Sequence, residues 1–372
     1  AELRRVRSRG RGARSDLTGV SPETVDDLVL RRAGPADDEA MRALLGAAFP
    51  NNPKTRTAMT RWQWWDNPFG ETLAWVWDDG GEIVAQYVAI CAPGWIEGRA
   101  LTVTLGIDAA VAPAYQGRRL FTPLSQTLYE DSLARGMPLY AYPNEQSWRG
   151  IARAGWVPVS TPSVHVFVLP GGARWLASRL SLPATVAPPL GLAARALFRS
   201  RRRSRALEVE LTSLPPADLD SLWLASPASQ ASGIARGARW WQWRYDQHPD
   251  RPYQYVAVRE HGVLAAAAAV GRREELGGRF LCILDLLAVR DDAARAVVNA
   301  LADGLLGEAD GVALTATPGS GLAGHARHMG LRRVPKRLQH RDIRFGVVPH
   351  PTIVAHPASL SWWTAWGDLD HI

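Results

Sequence analysis

The chain is poor in cysteine and almost free of lysine. Its 372 residues hold two cysteines, and its 43 basic side chains include only two lysines, Lys54 and Lys336. Cys91 and Cys282 each lie inside an apolar run. They predict buried, reduced thiols rather than a disulfide or a metal site. No uninterrupted apolar stretch reaches the roughly 18 residues of a membrane span. The basic N-terminal stretch lacks the apolar core and cleavage site of a secretory signal. Walker, Rossmann and nucleophile-elbow motifs are missing as well. With arginine favoured so strongly over lysine, a GC-rich bacterial source and a cytoplasmic setting are expected.

What is present is a large apolar fraction. Hydrophobic residues make up 47% and charged residues 21%, which excludes general disorder. The length predicts two domains. The net charge of +7 is not spread over the surface. Residues 1–14 carry six arginines against Glu2, and residues 199–205 carry five more, so the remaining residues sum to about −3. That distribution argues against DNA binding by the folded body.

Along the chain, residues 1–27 read as a flexible basic arm. Residues 28–169 alternate strands and helices. Leu28–Gly34 is a first strand, followed by a helix opened by Pro35-Ala36-Asp37-Asp38 with an apolar stripe at Met41, Leu44, Leu45 and Ala48. Leu73–Trp77 and Glu82–Ile90 flank Asp78-Asp79-Gly80-Gly81, a hairpin by its turn chemistry. In the strand Leu101–Val111, alternation places Thr102, Thr104, Gly106 and Asp108 on one face. Helices are expected at about Leu120–Arg135 and Glu145–Ala154, with a short strand Leu139–Tyr142 between them and an extended segment Val157–Leu169 after them. Residues 170–206 form a Pro- and Arg-rich helical linker.

Residues 207–372 repeat the first half. Trp62-Gln63-Trp64 returns as Trp241-Gln242-Trp243, Asp108 as Asp285 and Gly155 as Gly330, in the same order and at nearly constant offset. Because they recur, the tryptophans read as core. His325 and His328 lack further metal ligands at matching spacing, so no metal is expected.

The chemistry is concentrated in Val111-Ala112-Pro113-Ala114-Tyr115-Gln116-Gly117-Arg118-Arg119-Leu120-Phe121. A strand, a basic glycine-containing turn and a helix start aim backbone N–H groups at one point, a ready pyrophosphate site. This stretch resembles the acyl-CoA motif of the GCN5-related N-acetyltransferases, the GNAT superfamily. Leu139–Tyr142, Asn144, Ser147 and Ala154-Gly155-Trp156 resemble that family's second motif. Arg119 and Phe121 stand where the family has small residues, and Ile151 stands where many members carry a tyrosine acid.

The resemblance implies an α/β (α+β) fold of two tandem GNAT-like domains, each a mixed, largely antiparallel twisted sheet flanked by helices. It also implies acyl-CoA as co-substrate and transfer to a primary amine of a small metabolite, amino sugar, amino acid or natural product. Val111, Gln116, Gly117, Arg118, Arg119, Leu120, Phe121, Asn144 and Ser147 are the expected acyl-CoA contacts. Asp108 is a candidate base or a structural carboxylate. Glu145 is a second base candidate or a first-turn acid, and Tyr142 is a replacement acid or a core tyrosine.

The second half lacks the phosphate turn. Its role is expected to be walling an acceptor pocket. Two alternatives stand beside this reading. One is an aminoacyl-tRNA-dependent transferase whose arginine tracts meet tRNA phosphates. The other is a non-catalytic GNAT-fold binding module.

Overall fold

Turn chemistry organises the first sheet. In the computed structural model, which describes residues 24–25, 28–50, 53–199, 207–250, 252–339 and 343–369, the strands Leu73–Asp79 and Glu82–Ile96 pair antiparallel across the expected turn. Gly80 and Gly81 there take φ +58° and +103°, which glycine adopts without a Cβ clash. Glu82–Ile96 then pairs along its length with Arg99–Val111. Leu28–Arg32 flanks Leu73–Asp79, and Leu139–Ala141 adds parallel to Arg99–Val111. The helix Asp38–Ala48 buries Met41, Leu44 and Leu45 as its periodicity predicts. The helix Phe121–Ala134 covers the other face.

The second sheet runs Arg332–Arg333, Ser163–Val168, Gly311–Ala316, Gly278–Ala288, Val263–Glu275, Gln254–Glu260, Leu207–Thr212. Both sheets are mostly antiparallel and flanked by helices, so the fold is mixed α/β. Pairing crosses the sequence halves in both directions. Ser163–Val168, from the first half, pairs with Gly311–Ala316 in the second sheet. Phe345–Val348, from the second half, inserts between Leu139–Ala141 and Val157–Ser160 in the first sheet. The second half also adds Ser232–Ile234, paired with Glu82–Ile96, and Trp362–Trp363 to the first sheet, so the two halves interlock.

The repeat is visible in three dimensions, with a shifted register. Arg61–Trp65 and Gln242–Asp246 each form one wide π-type turn. These turns match Trp62 to Trp243 rather than to Trp241, and the two matched indoles stack at 4.9 Å. Trp64, Trp241 and Trp243 are fully buried and Trp62 nearly so. The linker helix Ala173–Arg179 docks on the second sheet through Trp175, which packs 4.9 Å from Phe280. The N-terminal arm and most of the second arginine tract lie outside the described residues. Among the described residues, no helix is long and apolar enough to cross a membrane.

Candidate active site

The strand Arg99–Val111 leads into a short turn at Pro113–Tyr115 and then into Gln116–Leu120. Side chains fix this loop. Gln116 Nε2 donates to the Val111 carbonyl at 3.3 Å. The Tyr115 hydroxyl donates to Asp79 at 2.5 Å, and the Arg118 guanidinium stacks 4.5 Å over the Tyr115 ring. Leu120 is buried, and its carbonyl accepts from Trp77 Nε1 at 3.0 Å. Phe121 packs 5.8 Å from Tyr87 and lies against Gly150. The side chains of Leu120 and Phe121 therefore face inward, and what they offer outward is backbone.

The main-chain N–H groups of Gly117, Arg118, Arg119 and Leu120 make no backbone hydrogen bond among the described residues. They immediately precede a helix of 14 residues, whose first amides also lack intrahelical partners. Unpaired amides backed by a helix dipole are a donor set for an anion. Gly117 has φ +80° and open space around its Cβ position, so conformation rather than crowding calls for glycine. Arg119 has φ +63°. This left-handed backbone costs a non-glycine residue about 1–2 kcal/mol.

Beside this turn the sheet opens. Parallel pairing between Arg99–Val111 and Leu139–Ala141 ends at Gly106 and Ala141. Just beyond that point the register slips, and Asp108 takes φ +50°. This bulge overturns the simple alternation. Thr104 bonds Ser132 of the covering helix at 2.7 Å. Asp108 instead turns to the opposite face, joining Trp64, Ile107 and Ala110. An extra bulge residue reverses every later side chain, which alternation alone cannot foresee.

Both oxygens of Asp108 are engaged. Oδ1 lies 3.2 Å from Lys54 Nζ, and Oδ2 accepts from Trp64 Nε1 at 3.0 Å. Lys54 and Asp108 are both buried. Burial pulls the Lys54 ammonium down to about 8, against the opposing pull of Asp108, and nearby Arg244 lowers it further.

The other candidates do not gather around Asp108. Glu145 is exposed. The expected helix from Glu145 begins instead at Trp148, because Asn144 Oδ1 accepts from the Gln146 and Ser147 amides at 3.0 and 2.9 Å and from the Ser147 hydroxyl at 3.0 Å. Asn144 and Ser147 thus form a side-chain-closed turn ahead of the helix, in which a side-chain oxygen offers the amides an alternative to helical pairing. Ile151 is core, so no acid stands at that position.

Tyr142 packs 5.2 Å from Phe345 and 6.1 Å from Tyr140, and burial pushes its hydroxyl well up. Both tyrosines line a mainly apolar cavity between the halves, together with Phe345, Trp362, Thr364 and Asp368. The Tyr140 hydroxyl is buried there with no hydrogen-bond partner among the described residues.

Sequence reasoning missed the buried charges of the second half. Arg236 Nη2 meets Asp368 at 2.6 Å, and Arg236 Nε meets Asp285 at 3.3 Å. The Tyr245 hydroxyl donates to Asp285 at 3.2 Å. Burial pushes Asp285 up to about 6, although Arg236 opposes it. Arg244 donates to the carbonyls of Gly367 and Leu369, and a side chain at Gly367 would meet the Tyr245 hydroxyl at 1.8 Å. The C-terminal segment is thereby held in the core.

At the place matching the phosphate turn, the second half presents Asp291, at the start of the helix Asp291–Ala302. His325 and His328 approach its carboxylate at 2.7 and 3.0 Å. A helix start already occupied by an acid is a poor anion site. Among the described residues, no group of three or more His, Cys, Asp or Glu side chains is placed to hold a metal ion.

Residues 29–156 match the family model described as the acetyltransferase (GNAT) domain. Solved structures share the fold over most of the chain. A "probable N-acyltransferase" from Enterococcus faecalis V583 is 10% identical with a TM-score of 0.63, covering 88% of this chain and 72% of its own. A GCN5-related N-acetyltransferase from Anabaena variabilis is 12% identical with a TM-score of 0.61, covering 86% and 72%. Eis1 from Mycobacterium abscessus is 16% identical with a TM-score of 0.54, covering 87% and 74%. A sequence search of curated proteins returns no match.

Proposed function

We propose that this chain, whose residues 29–156 match the acetyltransferase (GNAT) domain, transfers an acyl group from acyl-CoA to a primary amine of a small molecule. The observation that carries this reading is the turn at Gly117–Leu120, with its unpaired amides ahead of a 14-residue helix. That donor set fits a pyrophosphate, and Arg118 and Arg119 add positive charge at the same rim. When bound, acyl-CoA supplies the thioester that an amine attacks.

The chain's own residues shape the rest. Asn144 and Ser147 follow Ala141, where the parallel pairing ends. The aromatic cavity lined by Tyr140, Tyr142, Phe345 and Trp362 holds about 20 Å³, room for about one water, to which the unpartnered Tyr140 hydroxyl offers a hydrogen bond. The second half serves as a wall and does not bind a second acyl-CoA, because Asp291 and its histidines occupy the equivalent helix start.

Thermal-shift titration with acetyl-CoA and longer acyl-CoAs tests the reading. A concentration-dependent rise in melting temperature is expected, and Gly117→Asp should abolish it without unfolding the protein. No shift with any CoA ester would contradict it. A response to tRNA instead, lost with rising salt, would favour the aminoacyl-tRNA alternative.

A further inference from the structure

Two buried cation–carboxylate pairs occupy matching places in the two halves. In the first, Lys54 meets Asp108 at 3.2 Å and Trp64 donates to Asp108. In the second, Arg236 meets Asp285 at 3.3 Å and a further carboxylate, Asp368, at 2.6 Å, and Tyr245 donates to Asp285. Lys54 precedes Arg236 by 182 positions, Trp64 precedes Tyr245 by 181, and Asp108 precedes Asp285 by 177. One arrangement of cation, carboxylate and aromatic donor has been built twice.

The cations differ in kind. The chain uses lysine for only two of its 43 basic residues, and one of those two is the buried partner of Asp108. Arginine stays charged and grips a carboxylate with a rigid fork, whereas a buried lysine can give up its proton. A pair that only stapled the fold would be served better by the arginine found at the second site. The surroundings differ too. The lysine pair stands at the bulge, two residues past Gly106 where the parallel pairing ends, while the arginine pair stands in the half without the Gly117–Leu120 turn.

We propose that Lys54 is a positioning residue that stores the proton released by the acceptor amine, acting through Asp108. This rests on the acyltransferase reading. With Lys54 neutral, Asp108 takes a proton from the acceptor ammonium and passes it to Lys54 Nζ. The freed nitrogen lone pair forms the C–N bond to the thioester carbon, and the C–S electron pair leaves on sulfur. The stored proton then returns through Asp108 to the sulfur or to solvent. The charged groups facing Lys54 include Asp108 on the bulged strand and Arg244 on the turn Gln242–Asp246; burial and Arg244 lower its pKa to about 8.

Nuclear magnetic resonance of protein labelled with carbon-13 at lysine Cε gives two resonances, which Lys336→Arg assigns. The Lys54 signal is expected to titrate near pH 8, and at lower pH in Asp108→Asn; a midpoint near the ordinary 10.5 would overturn the proposal. Lys54→Arg should keep acetyl-CoA affinity and melting temperature. Its kcat for acetyl-CoA with the best acceptor of a primary-amine panel (benzylamine, glucosamine, spermidine) should fall about 10²-fold, and the rise in rate through pH 8 should vanish. An unchanged kcat and pH profile in Lys54→Arg would equally overturn it. Failure of the wild type to bind acetyl-CoA would remove the acyltransferase reading and the storage role with it, while the titration midpoint still decides the state of the pair.

Discussion

Arg119 is where the Gly117–Leu120 turn departs most from the acyl-CoA motif it resembles, and its backbone shows how the departure is tolerated. The conformation is left-handed at φ +63°, and the arginine adds a charge at the turn's rim. Arg119→Gly removes both the strain and the charge. It should leave the melting temperature unchanged or higher, because relief of the left-handed penalty offsets the usual cost of glycine. It should also weaken acetyl-CoA binding severalfold, an effect that shrinks at high salt; titration at two ionic strengths checks both effects.

Lys54 makes a second prediction at this scale. Its folded value of about 8 lies below its ordinary 10.5. Between those limits the unfolded chain binds more protons, so this group's contribution to stability rises as pH increases from 8 to 10.5. Urea unfolding of the wild type and Lys54→Met at pH 7.5 and 10 should therefore show the wild type gaining relative to the variant. Residue types in the turn were legible in the sequence, because the strand, glycine and helix start are contiguous. The face of Asp108 was not, because a single bulge reverses it.

Elements were readable where their signals are local. The Asp78–Gly81 hairpin, the helix Asp38–Ala48 and the helix Phe121–Ala134 follow from turn residues and apolar spacing. The helix beginning at Trp148 did not, because Asn144 accepts from two following amides and holds residues 145–147 in a turn. Asn144→Ala removes the acceptor of the Gln146 and Ser147 amides and should cost about 1 kcal/mol. Urea denaturation measures this directly, and an unchanged midpoint would remove the role given to this turn. The π-type turns at Arg61–Trp65 and Gln242–Asp246 left no mark in composition, so the tryptophan repeat was registered two residues away from its structural match.

At the scale of the whole molecule, the duplication was visible in the sequence and the exchange of strands was not. Pairing of Ser163–Val168 with Gly311–Ala316, and of Phe345–Val348 with Leu139–Ala141, joins residues far apart in the chain. Strands of four to six residues carry no address for their partners. Because each half completes the other's sheet, residues 1–169 alone should aggregate or remain unfolded, whereas the full chain should unfold in one cooperative transition by circular dichroism. A soluble, cooperatively folding 1–169 fragment would contradict the interlocked architecture.

One half carries a turn of unpaired amides that we propose binds an anion, and the other has Asp291, His325 and His328 at the matching helix start. Calorimetric titration of the full chain with acetyl-CoA tests this most directly. The account predicts one site per chain, lost in Gly117→Asp. Two sites, no binding, or one site unaltered by Gly117→Asp would contradict it.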